Sequence, residues 1–235
     1  VEPAPIQFEP IAEDALLLRF GERIDVTLNE RVRAAVITLQ RQLPQLEYVP
    51  AYASVLVRFD PLAWHNANVS PHQALERQVR IALGHDEAPV HASREQEIPV
   101  CYGGVHGPDL AGVAQHLHLP IDDVIARHAD ADYHVAMLGF APGFPYLLGL
   151  DPTLAMPRRD DPRQRVPAGS VGIGGLQTGI YPDPLPGGWQ LIGRTPLRLF
   201  DVNATPPSLL ATGDRVRFRA IDDDEFRHLE AEQHR

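Results

Sequence analysis

Between Gly139 and Pro196 the chain packs 11 of its 18 glycines and 10 of its 23 prolines into 58 residues. No long helix survives that density of breakers. Proline removes a backbone donor and clashes with the preceding turn, and glycine costs about 1 kcal/mol relative to alanine in a helix interior. Val135, Met137, Leu138, Phe140, Phe144, Tyr146, Leu147, Val171, Ile173, Ile180, Trp189, Leu191 and Ile192 flank or interleave the breakers, so the stretch can bury a core and is not a disordered linker. Short apolar runs separated by turn residues point to an all-β barrel or sandwich with structured loops. Arg194–Phe200 and Arg215–Ala220 read as its closing strands.

The first ninety residues follow a different rhythm. Ala15–Phe20 reads as a strand ending at Gly21, and Val32, Val36, Leu39 and Leu43 form a helical stripe over Leu28–Leu43 that Pro44 stops. Tyr48–Ala51 and Ser54–Phe59 read as two strands. A second helix begins at Ser70, with Pro71 at its first position and Gln73 completing a capping box, and ends at Gly84. Strand, helix, strand, strand, helix, followed by a strand near Ile98, is the order of a split βαβ or ferredoxin-like unit. The polar stretch His85–Gln96 is the expected boundary, giving an α+β domain at 1–88 and an all-β barrel or sandwich domain at 89–235. Two short helices, Asp109–Leu117 and Ile121–His128, open the second domain.

Composition removes whole classes of chemistry. All 21 basic residues are arginine, so the chain has no Schiff-base lysine, no phosphate-loop lysine and no biotin-carrying lysine. One cysteine allows no internal disulfide and no Cys-rich zinc module. The net charge of −10 disfavours nucleic acid, and the helical pair at 109–128 carries Asp109, Asp122 and Asp123 where a DNA-reading helix pair would face phosphates. No apolar run is long enough for a membrane helix, and the first twenty residues lack the basic start of a secretion signal, so a cytoplasmic protein is expected.

Single candidate nucleophiles are weak. Ser170 sits in Ala168-Gly169-Ser170-Val171-Gly172, yet Gly172-Ile173-Gly174-Gly175 cannot supply the helix a nucleophile elbow needs. Cys101 on an expected strand reads as a buried small hydrophobe, and His116, His118, His128 and His134 lack metal-ligand spacing, so no metal is expected. The basic cluster carries more information. Arg158, Arg159, Arg163 and Arg165 fall within eight residues, and guanidinium forks suit carboxylate and phosphate recognition, although Asp160 and Asp161 would also make this a self-neutralising surface loop. Gln177-Thr178-Gly179-Ile180-Tyr181-Pro182 and Gly187–Pro196 place amide, hydroxyl, aromatic and guanidinium groups on glycine-permitted turns, as a pocket or as turn packing alone.

Leu138-Gly139-Phe140-Ala141-Pro142-Gly143-Phe144-Pro145-Tyr146-Leu147 resembles the signature of a family with three branches: the B subunit of bacterial ATP-dependent 5-oxoprolinase, allophanate hydrolase subunit 1, and the Kip-type inhibitor of a sporulation histidine kinase. Pro157-Arg158-Arg159, Pro162-Arg163, Val166–Ile173, Gln177–Pro182, Pro186–Pro196, Ile98–Gly104 and Gly107–Leu110 extend the resemblance over essentially the whole chain, with Gly174 and Leu176 departing from its pattern. The resemblance implies a ferredoxin-like N-terminal domain and a cyclophilin-like β-barrel. It implies partners as well: a second-half, C-type carboxyltransferase-like subunit and an A-type oxoprolinase subunit, with ATP used by the assembly and a small amide substrate. The favoured branch is the oxoprolinase one; the urea-carboxyltransferase and kinase-inhibitor branches are the alternatives. On this reading Arg158, Arg163 and Arg194 hold carboxylate or phosphate, Gln177 and Thr178 hydrogen-bond the substrate, and Tyr181 and Trp189 shape the wall, with no catalytic residue assigned.

Overall fold

The computed structural model describes residues 5–65, 68–84 and 94–233. The chain divides into two compact units, Val1–Ala92 and Ser93–Arg235. Residues 85–93 of the expected boundary stretch lie outside the described residues, and Glu95 and Gln96 already belong to the first strand of the second unit.

The N-terminal unit runs β1 (Gln7–Ala12), β2 (Ala15–Arg19), α1 (Val26–Gln42), β3 (Glu47–Pro50), β4 (Ser54–Arg58) and α2 (Pro71–Leu83). Its sheet has the order β1-β2-β4-β3, each neighbour antiparallel. Strands β2 and β3 therefore run parallel with β4 inserted between them, which is the split βαβ read from the sequence. Alternation decides the buried face: Leu16, Leu18, Val55 and Val57 point under the helices and meet Val32, Leu39, Leu75 and Val79, all fully buried. Asp25 caps α1 by accepting from the Leu28 backbone N–H at 2.8 Å, and Ser70 with Gln73 forms the expected capping box on α2. One expectation is corrected. The strand around Ile98 does not complete this sheet, because it belongs to the barrel; the edge beside β2 is occupied by β1. Pro10 and the exposed face of β1 hid that strand from periodicity, as is usual for an edge.

The second unit runs β5 (Glu95–Tyr102), α3 (Leu110–Leu117), α4 (Ile121–Ala129), β6 (Tyr133–Leu138), β7 (Pro145–Leu148), β8 (Arg163–Val166), β9 (Ser170–Gly174), β10 (Gln177–Ile180), β11 (Leu185–Gly187), β12 (Gln190–Arg194), β13 (Arg215–Ile221) and α5 (Asp223–Gln233). Seven strands close a barrel in the order β10-β7-β6-β13-β5-β12-β9, with β10 pairing back to β9. Strands β8 and β11 form a separate two-stranded ribbon. Inward residues Ile98, Val100, Tyr133, Val135, Val171, Ile173, Ile180, Ile192 and Val216 fill the interior with no solvent exposure. Each such side chain contributes roughly 1.5 to 3 kcal/mol by leaving water. Arg215–Ala220 is a strand as expected. Arg194–Phe200 is not: the strand ends at Arg194, where Pro196 can no longer donate to a ladder. The C-terminal helix α5 was not anticipated; Asp222 starts it by accepting from the Glu225 backbone N–H at 2.8 Å.

Candidate functional site

The breaker-rich stretch builds the site. Between β6 and β7 the chain turns through Gly139–Phe144, closed by Gly139 N–H donating to the Phe144 carbonyl at 3.1 Å and Phe144 N–H to the Ala141 carbonyl at 3.0 Å. Phe140 sits in this turn at φ 70°, a left-handed conformation that costs a non-glycine residue about 1 kcal/mol or more, and the residue is 60% exposed. The turn holds that ring edge-on to Phe144 at 5.4 Å and to Tyr181 at 6.5 Å between centroids. Phe144 also meets Tyr181 at 5.2 Å and Trp189 at 5.6 Å, and Tyr146 meets Trp189 at 6.0 Å. Together these five rings wall a cleft of about 200 Å³, with Arg158, Arg159, Pro162 and Pro186–Gly188 completing its lining.

Glycine makes the wall possible. A Cβ at Gly174 would lie 2.5 Å from Cδ1 and Nε1 of Trp189, so the indole lies flat on bare backbone. Gly174, one of the two departures from the family pattern, thus fits the Trp189 position it supports. Burial pushes the Tyr181 phenol above its ordinary value, more strongly than the Trp189 backbone N–H and the Arg158 and Arg163 charges pull it down. Tyr181 therefore stays a neutral hydroxyl at physiological pH. Tyr146 is pushed up by burial in the same way.

The arginine cluster divides by partner. Asp109, from the segment entering α3, accepts from Arg163 Nη2 at 2.7 Å and lies 3.5 Å from Arg159 Nη1, while its other oxygen accepts from the Leu191 backbone N–H at 2.7 Å. Arg163 is thus a strut between α3, β8 and β12. Its Nη1 is buried without a hydrogen-bond partner among the described residues. Arg158 is exposed, and among the described residues no carboxylate pairs with it. Arg158 and Arg159 also border a second, polar cleft of about 560 Å³ that reaches Asp109, His116, Asp160 and Asp161.

Of the residues singled out in the sequence, Arg158, Tyr181 and Trp189 share the aromatic cleft, and Arg163 stands behind it. The other three lie elsewhere. Gln177 pairs with Gly174 at the tip of the β9–β10 hairpin and does not line the cleft. Thr178 is buried in the barrel, donating to the Gly172 carbonyl at 3.0 Å and sitting 3.0 Å from His128 Nε2, whose Nδ1 is 2.8 Å from the Tyr102 hydroxyl. Arg194 donates through Nε to the Ala168 carbonyl at 2.7 Å, lies 3.5 Å from Glu230, and covers the Phe226 ring at 5.5 Å. Asp214 and Asp201, the other carboxylates near it in sequence, pair with Arg94 and Arg198. Ser170 is buried at the start of a strand, and burial raises the Cys101 thiol, so neither presents an activated nucleophile. Phe140, Phe144 and Tyr146 are not among the site residues expected from the sequence although they lie in the Leu138–Leu147 signature, and Asp109, inside the Gly107–Leu110 motif, gives no local sign of its arginine partners.

Residues 6–210 match the family of the carboxyltransferase domain, subdomain C and D. The chain is similar to the B subunit of 5-oxoprolinase from Bacillus subtilis (strain 168), with 43% identity over 227 residues, 94% of this chain and 95% of that protein. It is 55% identical over 221 residues to the B subunit of 5-oxoprolinase from Haemophilus influenzae, covering 89% of this chain and 95% of that one. Among solved structures, TTHA0988 superposes with a TM-score of 0.76 at 39% identity over 88% of this chain, which spans 40% of that longer protein.

Proposed function

Because the chain belongs to the family of the carboxyltransferase domain, subdomain C and D, we propose that it works as the B subunit of a 5-oxoprolinase, one part of an ATP-dependent hydrolase that opens 5-oxoproline to glutamate. The observation that carries this is identity of 43–55% to subunits of that name over 88–94% of the chain. The cleft supports it chemically. 5-Oxoproline is a flat five-membered lactam bearing one carboxylate, and a cleft walled by aromatic faces and lined by Arg158, which no carboxylate pairs among the described residues, matches both halves of that molecule. Arg158 takes the carboxylate, the rings of Phe140 and Trp189 flank the lactam, and the neutral Tyr181 hydroxyl is available as a donor.

Such a role implies further subunits. A C-type, carboxyltransferase-like subunit and an A-type subunit would complete the site and supply the groups this chain lacks. ATP is used by the assembly; with no lysine here, any phosphate contact from this chain falls to arginine or backbone N–H groups. The test is steady-state kinetics of the reassembled enzyme carrying Arg158→Gln. The KM for 5-oxoproline should rise about 30-fold, roughly 2 kcal/mol for a lost charge-assisted pair, with the melting temperature of the variant chain unchanged. An unaltered KM would remove Arg158, and with it this cleft, from substrate binding.

A further inference from the structure

Away from the aromatic cleft, the barrel brings together three side chains that the sequence keeps far apart. Cys101 is the penultimate residue of β5, held between Arg194 of β12 and Ile221 of β13. His106 stands on the turn after β5, which Gly103 and Gly104 enter at φ 72° and 52° and which the Gly107 N–H closes on the Gly103 carbonyl at 2.7 Å. Asp223 is the first residue of α5. One donor atom from each, a thiol sulfur, a ring nitrogen and a carboxylate oxygen, lies within 4.8 Å of the other two.

We propose that Cys101, His106 and Asp223 form a site for a divalent metal ion of the zinc class, which fastens α5 to the barrel. Sulfur, imidazole and carboxylate together suit zinc or its near neighbours and not calcium or magnesium, which take oxygen ligands. Around a tetrahedral ion with bonds of roughly 2.0 to 2.3 Å the ligand atoms stand about 3.5 Å apart, so closure asks for shifts of about 1 Å. The surroundings hold the donors in place. The imidazole is 4.2 Å from the Phe226 ring and its Nε2 is 2.9 Å from Asp223 Oδ1, while Asp223 Oδ2 is held by Arg227. Charge favours a cation: Asp222, Asp223 and Asp224 stand in succession against Arg227, and the nearby Arg194 is balanced by Glu230. Three protein ligands leave the fourth position to water, and the thiol proton passes to solvent as the ion binds.

The tag-free, chelator-stripped full chain should be titrated with cobalt(II), then with zinc. One ion per chain should bind, with the near-ultraviolet sulfur-to-cobalt band and the strong visible bands of a tetrahedral centre, and zinc should displace it. Loss of an outer partner alone weakens metal sites by about 10- to 100-fold, so Cys101→Ser should abolish the sulfur band and weaken zinc at least that much. His106→Gln and Asp223→Asn should weaken zinc comparably even if the cysteine variant fails to fold, whereas His228→Gln, on the same helix, should change nothing. A folded wild-type chain without a sulfur band, or equal zinc affinity in wild type and His106→Gln, would overturn the site.

Discussion

Inside the barrel only one arrangement of protons satisfies His128. Thr178 gives its hydroxyl proton to the Gly172 carbonyl and must accept from Nε2–H, which leaves Nδ1 to accept from the Tyr102 hydroxyl. The imidazole is therefore neutral, and burial lowers its pKa from the ordinary 6.5 to about 3. Below pH 6.5 the unfolded chain binds a proton the folded one refuses. Stability should thus be level above that pH and fall with acid by up to about 1.4 kcal/mol per pH unit until the folded value is reached. Asp151 and Asp223, held low chiefly by hydrogen bonds, add a loss of the same sign only at lower pH. Melting temperatures from pH 8 to pH 4.5 should show the early fall in the wild type. His128→Gln should begin lower and decline less over that window; an equal slope would deny the buried histidine this role. Arg194 makes a contrasting case. With its guanidinium committed to Ala168, Glu230 and Phe226, Arg194→Gln should lower stability by about 1 kcal/mol, discounted for its partial exposure. It should leave the KM for 5-oxoproline unchanged, and a raised KM with normal melting would return it to substrate binding.

At the scale of elements, the β6–β7 turn carries the sharpest trade between stability and function. Phe140 bears a backbone strain that glycine would not. Phe140→Gly should therefore keep the melting temperature within a few degrees while activity of the assembled enzyme falls, since the cleft loses one wall; parallel losses of both would make the ring a packing residue. Elements with strong local signals were legible in the sequence: the stripe of α1, the capping box of α2 and the strand Ser54–Phe59 that becomes β4. Those set by tertiary context were not. β1 shows no apolar alternation, and α5 presents one buried anchor, Phe226, among exposed charges. The apolar run after Arg194 reads as strand, yet Pro196 takes the chain out of the ladder. The site was legible in the same proportion. Arg158, Tyr181 and Trp189 stand in conspicuous turn motifs, but the 54-residue reach from Arg163 to Asp109 and the span from Cys101 to Asp223 exist only once the barrel closes.

On the scale of the whole molecule, the change from helix-and-strand rhythm to breaker-rich short strands anticipated a small α+β unit followed by a barrel or sandwich, and the resemblance over its long motifs anticipated the barrel and the family. Composition alone does not reach the reaction: among the described residues, neither Ser170 nor Cys101 presents an activated nucleophile. On the proposed reading, the cleft of this chain becomes a complete site only with further subunits. The direct measurement is glutamate release from 5-oxoproline with and without ATP, comparing this chain alone, the A- and C-type subunits together, and all three. Glutamate should appear only with all three subunits and ATP. Turnover by this chain alone, or full turnover by the other two without it, would contradict its role in the 5-oxoprolinase assembly.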